Sequence, residues 1–341
     1  MSLRLELNTN PRSVAHAVEL ARAAEAAGYY RFGCWDSPAL HVDCWPMLMA
    51  VAMSTSRIKL GPNVTNPVTR HPVVTASAAL AVEQVAPGRT YIGIGTGDSG
   101  VYNLGMKAAS QRHLGTYIRA VRELMDDGAT VFDAQSLSLA PRPTSRIPIY
   151  MSAHGPRGVA MAAEHCDGII AGTGFDADVV ASLRERVSAV RSDVTREPAE
   201  PDIWWVATAV LATGDSRRLR ETEWYVGVPA HHLTRFGLKD DFVPQDLAEG
   251  VAAIGEAYVV ATHGQPTETE LRRYHSVLDV HRRAADYLSH RFLVLGSYED
   301  VVQRFRALYK RGVRQIAVSS GPLVSEAEIF DIARAAVEAS S

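Results

Sequence analysis

Cysteine is scarce: 341 residues carry only Cys34, Cys44 and Cys166, too few for a disulfide framework and with no CxxC pair. Basic charge is not in excess either. Lys and Arg number 35 against 38 Asp and Glu, a formal charge of −3, so no general pull toward nucleic acid or an anionic membrane is expected. No apolar run approaches about 18 residues, and the opening MSLRLELNTN has no apolar signal core. A cytoplasmic protein is expected. There is no P-loop, no G-x-S-x-G elbow and no HExxH. The histidines His231, His232, His263, His275 and His281 lack the spacing of a ligand set, so no metal site is expected.

What is present is a regular alternation of two periodicities. LRLELN (3–8) sets Leu3, Leu5 and Leu7 on one face and Arg4, Glu6 and Asn8 on the other, which is strand spacing. SVAHAVELARAAEAAG (13–28) is an amphipathic helix with Ser13 as N-cap and Gly28 as its stop. The pattern repeats: strands at 30–35, 57–66, 90–95, 147–153, 167–172, 203–212 and 314–321 are separated by helices, with a last helix at the end. Eight such units predict a (β/α)8 TIM barrel spanning 1–341 rather than an open doubly wound sheet. Residues 215–297 break the alternation and are expected to be a mostly helical insertion between strands 7 and 8.

In a barrel the chemistry gathers where the strands end. GIGTGDSG (93–100) has two incompatible meanings, since GDSG also occurs around the nucleophile of chymotrypsin-like proteases. That meaning fails: such domains are all-β and disulfide-bonded, and their histidine precedes the nucleophile, whereas AAEHC follows it here. As a strand end, the segment offers a close backbone approach to a ligand, with polar contacts from Asp98 and Ser99. The plain alternative is a glycine turn in which Asp98 caps a short helical turn. Glu6 and Asn8 point into the barrel, where a carboxylate is costly unless hydrogen-bonded near the mouth. A structural pairing of Glu6 with Arg4 is the alternative there. CWDSP places Asp36 and Ser37 at the mouth, and SAHGPRG places His154 there. AGTG (171–174) offers backbone amides and the Thr173 hydroxyl to a phosphate, with Arg157 nearby. WYVGVPAHHL (224–233) is either pocket wall or packed core.

LELN, WDS, LGPNVTNPVTRHP (60–72), GRTYIGIGTGDS (88–99), RIPIYMSAHGP (146–156), DGIIAGTG (167–174) and FLVLGSYEDVV (292–302) occur in this order. Together they resemble the luciferase-like flavin- and deazaflavin-dependent oxidoreductases, and most of all the methylene-tetrahydromethanopterin reductase branch that uses coenzyme F420. The resemblance implies a non-prolyl cis peptide at Asn63–Val64 against which the cofactor ring rests. It implies cofactor contacts from Gly95, Thr96, Gly97, Asp98 and Ser99, and phosphate contacts from Ala153, Gly155, Pro156, Gly172, Thr173 and Gly174. It makes Glu6, Asp36 and His154 candidates for proton transfer. The family's strand-2 Asp-His pair is Asp36-Ser37 here, a departure from the pattern.

The expected function is hydride transfer between reduced F420 and a small organic substrate, in a pocket roofed by the insertion. The alternatives are an FMN-dependent monooxygenase on the same scaffold and a flavin-binding barrel without turnover. Pairing as a homodimer is an expectation from the resemblance.

Overall fold

The computed structural model describes residues 2–153, 155–193, 202–211, 220, 222–235, 242–263, 266–320 and 324–340. The chain begins β1 (Arg4–Thr9), α1 (Val14–Ala27), β2 (Arg31–Cys34), α2 (Cys44–Ser54), β3 (Lys59–Pro62), α3 (Pro72–Val85) and β4 (Ile92–Ile94). A short α4 (Ser99–Tyr102) precedes α5 (Gln111–Asp126), a hairpin of β5 (Ala129–Phe132) and β6 (Gln135–Ser138), and then β7 (Ile149–Ser152). Next come α6 (Pro156–His165), β8 (Gly168–Ala171), α7 (Ala177–Asp193) and β9 (Asp202–Leu211). Among the described residues the α-helices α8 (Gly227–Arg235), α9 (Ala248–Ala257), α10 (Glu268–Val280) and α11 (Arg282–Phe292) follow. The chain closes with β10 (Leu293–Gly296), α12 (Tyr298–Lys310), β11 (Gln315–Ser320) and α13 (Glu326–Ala339).

The main sheet is parallel and runs β3-β2-β1-β11-β9-β8-β7-β4, with β10 added on β9. Two isolated bridges, Leu60 to Thr90 and Thr65 to Ile94, join β3 to β4 and bring the ends of the sheet together as a (β/α)8 barrel. Between those bridges the first strand advances five residues and the second only four. The extra residue is a bulge, and it contains the cis peptide Asn63–Val64.

Strands buried on both faces explain the apolar runs in the sequence. Leu5, Leu7, Phe32, Leu60, Ile92, Ile149, Ile169 and Val318 pack outward on the helices in one continuous core. The helical insertion has its own smaller core, built from Val226, Val251, Ile254, Leu278, Leu288 and Phe292. Two features depart from expectation: the segment after α5 holds a hairpin, and the insertion ends in a strand, β10, hydrogen-bonded along the second half of β9. Among the described residues no helix is long and apolar enough to cross a membrane, and no cluster of His, Cys, Asp or Glu has metal-binding geometry. All three cysteines are free and buried.

Candidate active site

Inside the barrel, Glu6 stands in register beside Arg31 on β2. Arg31 is 2% exposed, and its guanidinium lies 4.0 Å from the ring centres of Tyr150 and Trp204 and 4.7 Å from that of Tyr91. Three aromatic faces thus replace water around the cation. Asp202 approaches it at 3.8 Å and accepts a 2.6 Å hydrogen bond from Tyr150. The basic neighbour of Glu6 is therefore Arg31; Arg4 lies instead over Tyr30.

The Glu6 carboxylate accepts a 2.5 Å hydrogen bond from Asn63 Nδ2, and the Tyr91 hydroxyl adjoins it. Complete burial pushes the Glu6 carboxyl above its usual range; Arg31, Asn63 and Tyr91 offset only part of that. Such an acid keeps its proton to higher pH than an exposed glutamate. Opposite it, a Cβ on residue 33 would lie 2.5 Å from Glu6 Oε1, so only glycine leaves the carboxyl room.

Asp36 has a different setting. Its side chain is fully buried and accepts hydrogen bonds from Thr65 Oγ1 at 2.6 Å, Arg70 Nε at 3.0 Å and Arg70 Nη2 at 3.1 Å. Arg70 also binds Asp43, the N-cap of α2. A bidentate pair with a third donor holds Asp36 in the framework, tying the end of β2 to the segment after β3.

The next residue, Ser37, is hydrogen-bonded to Ser99 at 2.9 Å with both hydroxyls buried. A Cβ at Gly100 would sit 2.4 Å from the Asp36 carbonyl oxygen. CWDSP and GDSG, far apart in sequence, are locked against one another. Ser99 is engaged within the protein, and Gly100 serves this contact. A Cβ at Gly95 would meet Val64 at 3.2 Å and Ser152 at 3.4 Å, and Thr96 anchors the following loop by accepting from the Ala109 amide at 2.8 Å. Gly97 leads on to Asp98, which occupies the N-cap position of α4 without capping it.

Asp98 instead accepts a 3.0 Å hydrogen bond from His232 Nε2, on α8 of the insertion. Burial would push the Asp98 carboxyl up, but this bond and the neighbouring histidines outweigh it and bring it down to about 2. His263 packs on Trp35 with ring centres 5.0 Å apart and is hydrogen-bonded to Tyr258. Burial brings its imidazole down to about 4 and also lowers His41 and His231. Two further ties join roof to barrel: Asn103 donates to the Val260 carbonyl at 3.3 Å, and Arg235 lies 3.9 Å over Tyr102. WYVGVPAHHL is therefore both things at once, its Val226 and Ala230 in the insertion core and its His232 at the mouth.

The remaining candidates come from adjacent strands, since Ser152 pairs with Ile170 and the Ala153 amide donates to the Ile170 carbonyl. α6 opens at Gly155 and Pro156 with no side chain capping its first turn, and space is open beside Gly155. In the neighbouring turn, Gly172–Gly174, the Thr173 hydroxyl is buried without a hydrogen-bond partner among the described residues. The Thr173 carbonyl is clamped by fully buried Arg291, whose Nε and Nη2 reach it at 3.0 and 2.9 Å. Arg157 is exposed. His154 lies outside the described residues.

Sequence patterns did not single out Arg31, Tyr91 or Arg291. For Arg31 a signal existed: in YRFGCW it alternates with Gly33, which puts it on the inward face. Arg291 offered none, because its partner is a backbone carbonyl 118 residues away.

The profile of the luciferase-like monooxygenase family matches residues 2–315. A 5,10-methylenetetrahydromethanopterin reductase of Archaeoglobus fulgidus is 27% identical over 290 residues, 81% of either chain. An F420-dependent glucose-6-phosphate dehydrogenase of Nakamurella multipartita is 26% identical over 328 residues, 86% of this chain and 93% of its own. The solved coenzyme F420 dependent tetrahydromethanopterin reductase of Methanopyrus kandleri superposes with a TM-score of 0.74 at 19% identity, covering 98% of each chain, and so shares the fold. The chain belongs to the luciferase-like monooxygenase family.

Proposed function

We propose that this protein is an F420-dependent oxidoreductase that transfers hydride between the deazaflavin and a small organic substrate. The observation that carries this is the long sequence match to a relative whose name specifies F420, covering 86% of the chain. The phosphate end of the site fits the coenzyme: an uncapped helix start and the orphaned Thr173 hydroxyl suit a phosphate, held from Ala153, Gly155, Pro156, Gly172 and Gly174. Asn63, Val64, Gly95, Thr96 and Gly97 would border the ring. When bound, F420 supplies a carbon centre that gives or takes hydride.

The chain's own residues then orient and protonate. Glu6, an acid whose carboxyl burial pushes above its usual range, stands inside the barrel, and Asp98 with the histidines stands at its rim. The insertion, 215–297, shapes the substrate pocket by carrying His232 and His263 to that rim. Exposed Met53, Val74 and Val85 on α2 and α3 favour a homodimer, which sedimentation of the purified chain would test. Free, buried cysteines accord with a cytoplasmic location.

The family's monooxygenase members make an FMN-dependent monooxygenase the second possibility. An oxygen electrode separates the two. With reduced F420 the proposal expects no oxygen uptake above the enzyme-free rate; rapid uptake with reduced FMN and a substrate would replace it with the monooxygenase.

A further inference from the structure

We propose that His232 is the group that exchanges the substrate's proton when hydride moves, and that Asp98 is its positioning residue. This rests on the F420-dependent function proposed above. His232 projects from α8 of the insertion, and Asp98 follows β4 at the mouth, so their 3.0 Å bond spans the line where roof meets barrel. Their side chains remain 26% and 32% exposed, so a ligand entering the mouth can reach the pair. Of the four histidines gathered there, His232 alone among the described residues is hydrogen-bonded to a carboxylate. His41 contacts Asn10, His263 contacts Tyr258, and His231 faces the Gly255 backbone.

The other groups around the pair serve to hold it. His231, Tyr258, His263 and Arg235 are charged or titratable neighbours from the insertion, and His41 comes from the segment after β2. Burial shifts His41, His231 and His263 toward the neutral form. Glu6 lies deeper, inside the dry barrel, and Asp36 is closed off by Arg70. The carboxylate–imidazole pair is thus the proton-exchanging unit open to a substrate, and a carboxylate fixing one imidazole nitrogen is the arrangement that orients histidine for such work.

The chemistry fits an alcohol and its carbonyl partner. As the carbon–hydrogen bond of an alcohol breaks, its electron pair leaves as hydride to the oxidised deazaflavin. The oxygen–hydrogen bond breaks to form the carbonyl, and the His232 imidazole takes that proton. In the reverse direction the imidazolium returns it to the carbonyl oxygen.

The test uses the full chain as wild type, His232→Gln and Asp98→Asn. Fluorescence titration with F420 comes first, and wild type and His232→Gln should bind within about threefold of each other. Failure of the wild type to bind F420 would overturn the function proposed above, and this inference with it. F420 reduction is then followed with propan-2-ol, butan-2-ol, cyclohexanol and glucose 6-phosphate. His232→Gln should lose about 100-fold or more in kcat with KM little changed, and added imidazole should restore part of it. Asp98→Asn should lose less, again in kcat. Carboxyl carbon NMR gives a readout independent of turnover: Asp98, held at about 2 in the wild type, should titrate higher in His232→Gln. The inference is overturned if His232→Gln keeps kcat within threefold, if the Asp98 titration does not move, or if F420-loaded wild type oxidises none of the four alcohols.

Discussion

Glu6, inside the barrel, and Asp98, at its mouth, have surroundings that drive them in opposite directions. Around Glu6 the walls are Arg31, Tyr91, Tyr150, Trp204 and Asn63, and water is excluded, so burial dominates and the carboxyl is pushed up. Around Asp98 a histidine from another part of the chain donates directly, and the carboxyl is brought down to about 2. Depth alone does not set acidity; the partner does. Two carboxyls pushed apart in this way can hold opposite charge states at one pH.

That contrast can be broken at its strongest point, the aromatic cage. Trp204→Ala should cost about 3–5 kcal/mol, since it empties a fully buried site and uncovers one face of Arg31. Urea unfolding would show it, and a loss under 1 kcal/mol would mean that the interior is not the tightly packed region described. The rim should respond to pH instead. His263 titrates near 6.5 when unfolded and about 4 when folded, so below 6.5 the unfolded chain binds the proton first. Stability should therefore fall as pH drops from 6.5 to 4, by at most about 3 kcal/mol from this residue. His263→Gln should flatten that slope, and an unchanged slope would contradict the assignment.

Smaller effects sharpen the interior. Gly33→Ala forces a methyl to within 2.5 Å of the Glu6 carboxyl and should cost about 1–3 kcal/mol, measured by the same unfolding curve. Glu6→Gln should have the opposite sign. The raised carboxyl keeps its proton in the folded state after the unfolded chain has lost it, so its contribution to stability falls as pH rises above 4.5. The glutamine variant should melt above wild type at pH 8, with the gap closing toward pH 4. A variant that melts lower at pH 8 would show that the ionised form is welcome there.

The barrel was legible in the sequence because its strands are buried on both faces and its helices are capped, as at Ser13 and Ser110. The hairpin was not, since β6 is mostly exposed and its turn is Asp133-Ala134, both at positive φ. That turn usually announces itself with Asn-Gly or Asp-Gly, and alanine hides it. At the site, strand ends pointed correctly to Glu6 and Asp98 as inward or mouth residues. Their partners were not legible. Arg31 owes its setting to rings on three other strands, and His232 reaches Asp98 across 134 residues of chain. Local patterns place a residue on a face; the company it keeps there is decided by closure of the whole barrel.

Parallel fluorescence titrations with F420 and FMN show whether this mouth holds a deazaflavin. Saturable F420 binding with Kd below about 100 μM, roughly −5.5 kcal/mol, and at least tenfold weaker FMN binding are expected. Tighter binding of FMN, or no binding of F420 at that concentration, would contradict that expectation.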